Sequence, residues 1–143
     1  MRIMAIDYGD ARTGVAISDP TGLLAGFTAV IHSRRAEEVL QRLAELAREH
    51  QVDTVVLGLP RNMNGTEGPR AELCRAFAGR VEEALGLKPV LWDERRTTVE
   101  AHDILRASGK RTKRHSRTVD AVAASLILEG YLTFRRSREP GNR

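Results

Sequence analysis

Cysteine, aromatic residues and long apolar runs are scarce in this chain. The single cysteine, Cys74, excludes an intramolecular disulfide bond, as is usual for proteins that stay in a reducing compartment. No apolar stretch approaches the roughly 18 residues that span a membrane. The apolar run that follows Arg2 is too short for a signal peptide. These absences predict a cytoplasmic protein without a membrane segment.

The composition that is present is that of an ordinary globular domain. Of 143 residues, 41% are hydrophobic and 29% are charged, which excludes disordered, collagen-like and coiled-coil proteins. The length suits one domain with its own core. The last segment carries Pro140, Gly141 and four arginines. We therefore predict one domain over residues 1–134 and a flexible basic tail over residues 135–143.

Charge is distributed unevenly along the chain. Residues 1–94 carry 11 basic and 14 acidic side chains, whereas residues 95–143 carry 12 basic and 5 acidic ones. Residues 106–117 contain six basic side chains, no acid and no aromatic ring, which favours phosphate contacts over base stacking. A solvated basic face is the alternative. The side chains predicted to bind nucleic acid here are Lys110, Arg111, Lys113, Arg114 and Arg117.

The hydrophobic pattern predicts strands first and then an alternation of helices and strands. Apolar runs predict strands at residues 3–7, 14–18, 25–31, 54–59 and 89–92. Helical spacing predicts helices at residues 36–50, 69–85, 97–109 and from about 119 to 134, with a capping box at Thr97 to Glu100 and a basic loop at 110–117. Residues expected to face inward on the second helix are Leu73, Cys74, Phe77, Val81 and Leu85. Those on the last helix are Val119, Val122, Ala123, Leu126, Ile127, Gly130 and Phe134.

This order of elements predicts an α/β fold. The first three strands have short connections, which favour an antiparallel meander, whereas the fourth and fifth follow helices and should pair in parallel. The result is a five-stranded mixed sheet with helices on both faces. It is the element order of the ribonuclease H-like fold. Trp92, at the end of the fifth strand, is expected in the core.

Acidic residues stand at the ends of the predicted strands. Asp7 ends the first strand, Asp93 and Glu94 follow the fifth, and Asp120 lies in the first turn of the last helix. Ligands of open α/β sheets bind outside the carboxyl ends of the strands, and carboxylates from separate elements suit Mg²⁺. Two such ions can promote phosphodiester hydrolysis. Each acid also has a structural alternative: a strand end, an ion pair with the arginines that follow, or a helix N-terminal charge.

Two loops at the same edge carry polar residues. Residues 9–14 have two glycines but neither the Lys-Ser/Thr pair nor the helix of a phosphate loop, so a tight strand-to-strand turn is predicted. Arg12 in this turn is then able to contact a phosphate or to pair with an acid. Asn62 and Asn64 form a second turn, where substrate contact is the alternative to a purely structural role.

Four motifs in this order resemble those of the YqgF family. They are Asp7-Tyr8-Gly9 with Arg12-Thr13-Gly14-Val15-Ala16, Gly58-Leu59-Pro60 with Asn62-Met63-Asn64-Gly65, Asp93-Glu94-Arg95 with Thr97-Thr98, and Asp120-Ala121-Val122-Ala123-Ala124. The resemblance extends from Arg2 to about Leu132. Arg96 departs from the pattern, where an apolar residue is expected. The family comprises bacterial pre-16S rRNA nucleases that are also described as Holliday-junction resolvase-like.

The resemblance implies a ribonuclease H-like fold and metal-dependent cleavage of phosphodiester bonds in the cytoplasm. It matches the catalytic acids to Asp7, Glu94 and Asp120, with Asp93 as a helper, around one or two Mg²⁺ or Mn²⁺ ions. The residues expected to contact nucleic acid are Arg12, Asn62, Asn64, Arg95 and the five basic residues named above. The implied partner is pre-rRNA or a ribosomal precursor particle, bound by a monomer or a homodimer.

Other functions stay open at this point. The protein could act on branched DNA as a junction resolvase, or it could be a non-catalytic RNA-binding factor in ribosome assembly, since fold does not fix function. A relative of the actin-type ATPases, which share an Asp-x-Gly turn, would need two such domains to enclose a nucleotide.

Overall fold

The computed structural model describes residues 2–21, 25–96 and 113–138, with the side chains of residues 96, 113–120 and 138 excepted. The strands are β1 (Ile3–Asp7), β2 (Arg12–Ser18), β3 (Ala25–His32), β4 (Thr54–Leu59) and β5 (Val90–Asp93). The helices are α1 (Ala36–Glu49), α2 (Pro69–Leu85) and α3 (Lys113–Arg138), and a 3₁₀ turn covers Glu94–Arg96. Within these ranges, no helix combines the length and apolar character needed to cross a membrane.

The five strands form one mixed sheet in the order β3-β2-β1-β4-β5. β1 pairs antiparallel with β2 and parallel with β4. β2 pairs antiparallel with β3, and β4 pairs parallel with β5. Because α1 and α2 serve as the crossovers to β4 and β5, the parallel half of the sheet follows from the alternation in the sequence. The predicted α/β ribonuclease H-like arrangement is confirmed.

Helices cover both faces of the sheet, as predicted. Met4 and Ile6 of β1 pack in one core with buried side chains of α1 and α2. Ile3 and Ala5 point to the other face, where they pack in a second core with residues of α3. All four side chains are fully buried, because β1 lies in the middle of the sheet and alternates its side chains between the two faces.

The β1–β2 connection is the tight turn that the glycines predict. Asp7 pairs with Gly14 across the hairpin. A Cβ atom at Gly9 would collide with the backbone carbonyl oxygen of Arg12, so only glycine fits where the chain reverses. The Asp7–Gly14 pair and the close approach of Gly9 to Arg12 therefore fix the position of the last residue of β1.

α2 has the predicted bounds and one misassigned residue. Pro69 occupies its first turn, and Gly86 caps its C-terminus in the left-handed region, with φ of 74°. Cys74 is buried in the core, as is Trp92 on β5, and both predictions are confirmed. Leu73 is 52% exposed, so its inward placement was wrong. The buried stripe runs instead through Ala71, Cys74, Phe77 and Val81.

The last helix is longer than predicted at both ends. It begins at Lys113, so the predicted basic loop is wrong from this residue onward. Lysine and arginine are good helix formers even where no apolar period marks the helix. α3 continues to Arg138, so the first residues of the predicted tail are helical. The predicted helix at 97–109, Lys110, Arg111 and residues 139–143 lie outside the described residues.

The buried face of α3 is also rotated from the predicted one. Its buried residues are Ala124, Ile127, Leu128, Tyr131 and Leu132. Val122, Ala123 and Leu126 are only partly buried. The sequence from 121 to 132 is apolar around most of the helix, so spacing alone does not select one face.

Candidate acidic active site

Asp7 and Glu94 lie on the face of the sheet that α3 covers. Asp7 has the same parity as Ile3 and Ala5, whose side chains pack with α3. Glu94 directly follows β5, and its carboxyl lies beside Gly58 of β4, which alternates with Val56 of the same core. Two strands that are not adjacent in the sheet, with β4 between them, therefore deliver a carboxylate to one face at its carboxyl edge.

Gly58 of β4 makes room for the Glu94 carboxyl group. A Cβ atom at this position would lie 2.7 Å from Cδ1 of Ile127 and 3.3 Å from Cδ and Oε1 of Glu94. The missing side chain thus leaves a space between the sheet and α3 that the glutamate occupies. A glycine inside an otherwise apolar strand is the sequence signal for such a close approach.

The two carboxylates repel each other in a partly buried setting. Burial is the main cause that raises the pKa of Glu94 to about 7, and the neighbouring charges of Asp7 and Asp93 raise it further. The guanidinium group of Arg70 opposes this shift. Two interacting carboxylates offer the oxygen donors that suit a hard divalent cation.

Asp120 belongs to the described part of α3 only through its backbone. It stands four residues before Ala124, which is fully buried against the sheet, so its position is one turn earlier on the same helical face. Among the side chains that the structure describes, no group of three or more His, Cys, Asp or Glu residues forms a metal site. The described part of the site therefore consists of two acids.

Asp93 is hydrogen-bonded and ion-paired to neighbouring arginine side chains. Its carboxylate accepts hydrogen bonds from Nε and Nη2 of Arg95, the latter at 2.7 Å, and from the backbone N–H of Arg95 at 2.9 Å. Arg61 adds an ion pair at 3.9 Å. The hydrogen bonds from Arg95 are the main cause that lowers the pKa of Asp93. This geometry corresponds to the structural alternative, in which the acid pairs with the arginine that follows it.

The ion pairs of Asp93 extend to further side chains. These are Arg61, Glu67 and Arg75. Glu67 accepts two hydrogen bonds of 2.6 Å from Arg75 and lies 3.3 Å from Arg61. With Asp93 and Arg95, the five side chains form a row of alternating charge along the ends of β4 and β5. The row connects the start of α2 to the residue that precedes Glu94.

Arg70, whose positive charge opposes the pKa shift of Glu94, was not predicted as a site residue. Its guanidinium group donates to the backbone carbonyl of Tyr8 and, at 2.8 Å, to Oδ1 of Asp10. Tyr8 in turn stacks on Phe77 with ring centroids 3.8 Å apart. Arg70 therefore ties the start of α2 to the turn that follows Asp7, which local sequence patterns do not reveal.

The predicted nucleic-acid contacts are placed as follows. Arg12 is exposed at the first residue of β2, on the hairpin that carries Asp7. Asn62 and Asn64 are exposed, and both hydrogen-bond to Thr66 within their turn. The basic residues at the start of α3 are Lys113, Arg114 and Arg117.

Two solved structures of Holliday junction resolvases share this architecture. The protein described as "T. thermophilus RuvC in complex with Holliday junction substrate" superposes with a TM-score of 0.63 at 14% identity, covering 94% of this chain and 96% of that chain. The fowlpox virus Holliday junction resolvase gives a TM-score of 0.52 at 18% identity, covering 94% and 99%. These likenesses establish the ribonuclease H-like fold.

The family model described as "RuvX: Holliday junction resolvase" matches residues 1–134. The chain belongs to this family. It is 46% identical over 140 residues to a protein of Symbiobacterium thermophilum, covering 98% of this chain and 97% of the relative. It is 42% identical over 135 residues to a protein of Carboxydothermus hydrogenoformans, covering 94% and 98%. Both relatives carry the name "Putative pre-16S rRNA nuclease".

Proposed function

We propose that this protein is a metal-dependent nuclease that hydrolyses phosphodiester bonds during 5′-end processing of pre-16S rRNA. The main support for the proposal is that Asp7 and Glu94 lie on one face at the carboxyl edge of the sheet and interact electrostatically. Gly58, which has no side chain, leaves the space that the Glu94 carboxyl occupies. Membership of the RuvX family and the names of the relatives support the reaction class and the substrate. Because that substrate is made in the cytoplasm, we expect the protein to act there.

Asp7 and Glu94 are proposed to hold one or two Mg²⁺ or Mn²⁺ ions, with Asp120 as the third acid. The described donors fit such an ion, because both are carboxylates and their mutual repulsion favours a cation between them. When bound, the cation supplies positive charge that offsets the carboxylates and polarises the scissile phosphate. Asp93 is proposed to position Arg95 and the strand end rather than to bind metal, since its oxygens are taken by arginines.

The protein's own groups would hold the substrate and the acids in place. Arg70 fixes the turn that follows Asp7 and adds positive charge beside Glu94. Arg12 and the basic start of α3 are proposed to contact backbone phosphates, which predicts binding that weakens steeply with salt. Lys110 and Arg111, which lie outside the described residues, stay predicted phosphate contacts.

A cleavage assay with a matched variant tests the proposal. Wild type, Asp7→Asn and Asp53→Asn are each given pre-16S rRNA with its 5′ leader and a four-way DNA junction, in Mg²⁺, Mn²⁺ or EDTA. Asp53 is an exposed acid at the opposite end of β4, so its variant controls for loss of charge alone. We expect wild type and Asp53→Asn to cut the rRNA in metal only, and Asp7→Asn to be at least about 100-fold slower, on the scale of lost transition-state electrostatics.

Other outcomes separate the alternatives. Preferred cutting of the junction would move the substrate from rRNA to branched DNA. Binding without cutting by the wild type would favour the assembly factor. An Asp7→Asn variant as fast as the wild type would contradict the assigned site.

A further inference from the structure

A large apolar side chain stands almost fully in solvent at the edge where the acids meet. Met63 is 92% exposed, whereas the other exposed large apolar residues in the described part of the chain, Leu73 and Val90, are at 52% and 38%. Met63 therefore contributes little to the core and is accessible to a bound molecule.

The turn that carries Met63 is firmly built. The backbone N–H of Gly65 donates to the carbonyl of Asn62 at 2.9 Å and closes a β-turn with Met63 and Asn64 at its corners. The N–H of Asn62 donates to the carbonyl of Thr66 at 2.9 Å. The side chains add further bonds: Thr66 Oγ1 receives one from Asn62 Nδ2 at 2.9 Å and donates one to Asn64 Oδ1 at 2.6 Å. The exposure of Met63 is thus fixed by the structure of the turn.

The same turn lies against Arg95. Gly65 has a φ of 87°, and a Cβ atom there would lie 3.5 Å from Nη1 of Arg95, the residue that follows Glu94. β4, which leads into the turn, pairs its last residue, Leu59, with Asp93. Met63 is therefore presented beside the strand ends that carry the acids.

We propose that Met63 packs against an unstacked base of the substrate strand next to the cleaved phosphate. This inference rests on the proposed nuclease function. Apolar side chains, including methionine, insert between bases and unstack them, and the polarisable thioether makes favourable contacts with aromatic rings. A single apolar side chain between two asparagines is far too small for a stable protein interface, which buries at least about 1,200 Å² of surface. The ion-paired row beside the turn holds three arginines and two acids, and this excess of positive charge favours a polyanion.

The test uses the full chain and 2-aminopurine, whose fluorescence rises when it is unstacked. The base analogue is placed beside the mapped cleavage position in the rRNA leader and in the four-way junction. Fluorescence is read in the Asp7→Asn background, and single-turnover cleavage in the otherwise wild-type chain. The variants are Met63→Ala, Met63→Leu as the conservative replacement, and Leu73→Ala as an exposed apolar control on α2.

We expect Met63→Ala to lose at least half of the fluorescence rise and about tenfold in cleavage rate, on the scale of one lost base contact. Met63→Leu should restore most of both signals, and Leu73→Ala should match the parent. Thermal unfolding should be unchanged in both Met63 variants, because that side chain is exposed, whereas Leu73→Ala removes a half-buried side chain and should lower the melting temperature slightly.

The two proposals fail in different ways. Parent-like fluorescence and cleavage for Met63→Ala would overturn the base contact while leaving the nuclease intact. A wild type that binds without cutting would overturn the nuclease and, with it, the base contact next to a cleaved phosphate. A chain that binds neither nucleic acid would overturn both.

Discussion

The guanidinium group of Arg70 donates to the backbone carbonyl of Tyr8 and lies 5.5 Å from the centroid of the Tyr8 ring. One side chain from the first turn of α2 thereby holds the backbone that directly follows Asp7. The backbone beside Asp7 is thus held both by the Arg70 guanidinium group and by the pairing of β1 in the sheet. This arrangement has consequences that experiments can measure.

Arg70→Ala should lower the free energy of unfolding by about 1–2 kcal/mol, because it removes hydrogen bonds to a carbonyl and a carboxylate together with a contact to an aromatic ring. Arg80 is the matched control, since its ion pair with Glu37 is exposed at 3.4 Å and is worth less than about 1 kcal/mol. Urea unfolding of the two variants tests the difference. Equal losses would show that Arg70 is only another surface arginine.

Gly58→Ala should cost both stability and activity. Its new Cβ atom would meet Ile127 at 2.7 Å and the Glu94 carboxyl at 3.3 Å, so α3 or Glu94 must move. Gly79→Ala is the control, because a Cβ atom in that helix meets nothing within 4 Å. This second variant should gain about 0.5–1 kcal/mol from helix propensity. Melting temperatures and cleavage rates report both effects, and an unaffected Gly58→Ala would argue against the described fit.

The pH dependence of stability should carry the signature of Glu94. Its pKa is about 7 in the folded chain, above the ordinary value of 4.5. The folded state therefore binds this proton more tightly, and the stabilisation present below the ordinary value is lost as pH rises through about 7. In EDTA, wild type should lose up to about 3 kcal/mol relative to Glu94→Gln over that window. Glu83→Gln, exposed on α2, should follow the wild type. Parallel curves for all three chains would contradict the pKa shift.

Divalent cations should reverse that loss. A cation that binds only the folded state stabilises it by mass action. We expect Mg²⁺ at about 5–10 mM to raise the melting temperature of wild type at pH 8 and to have little effect on that of Asp7→Asn. EDTA should abolish the difference between the two chains. An equal rise in both chains would place the binding elsewhere.

Cys74 should be inert until the protein unfolds. Burial raises the pKa of its thiol to about 11, so little thiolate exists at neutral pH. Thiol reagents at pH 8 should modify native protein far more slowly than protein in urea. Rapid labelling of the native chain, followed by circular dichroism to confirm that it is folded, would count against this burial.

The order of elements was readable from the sequence because local patterns encode it. β1, β4 and α2 have the predicted bounds, since turn residues stop each apolar run. The inward face of α3 and the exposure of Leu73 were missed, because an almost wholly apolar segment leaves the face to tertiary packing. The helical start of α3 at Lys113 was missed because charged helix formers show no apolar period.

The site was predictable in part for the same reason. Strand ends located Asp7 and Glu94 at one edge. The ion pair of Asp93 with Arg95 was the stated alternative for that acid. Arg70 was invisible, because its partners lie some sixty positions away in the chain, on the β1–β2 turn. Gly58 was present as a signal, the lone glycine of an apolar strand, but its neighbours appear only in the folded chain.

The position of β1 in the middle of the sheet bears on how the protein is made. Asp7 is synthesised early, but β4 emerges much later and Glu94 later still, after two helices have been completed. The pairing of β1 with β4 closes a long loop, which makes it a slow, late step of folding. A nascent or truncated chain would thus hold one acid without the other. Competence to cut nucleic acid would therefore arise only when synthesis has passed β5 and has also delivered α3, which packs on this face and carries the proposed third acid, Asp120.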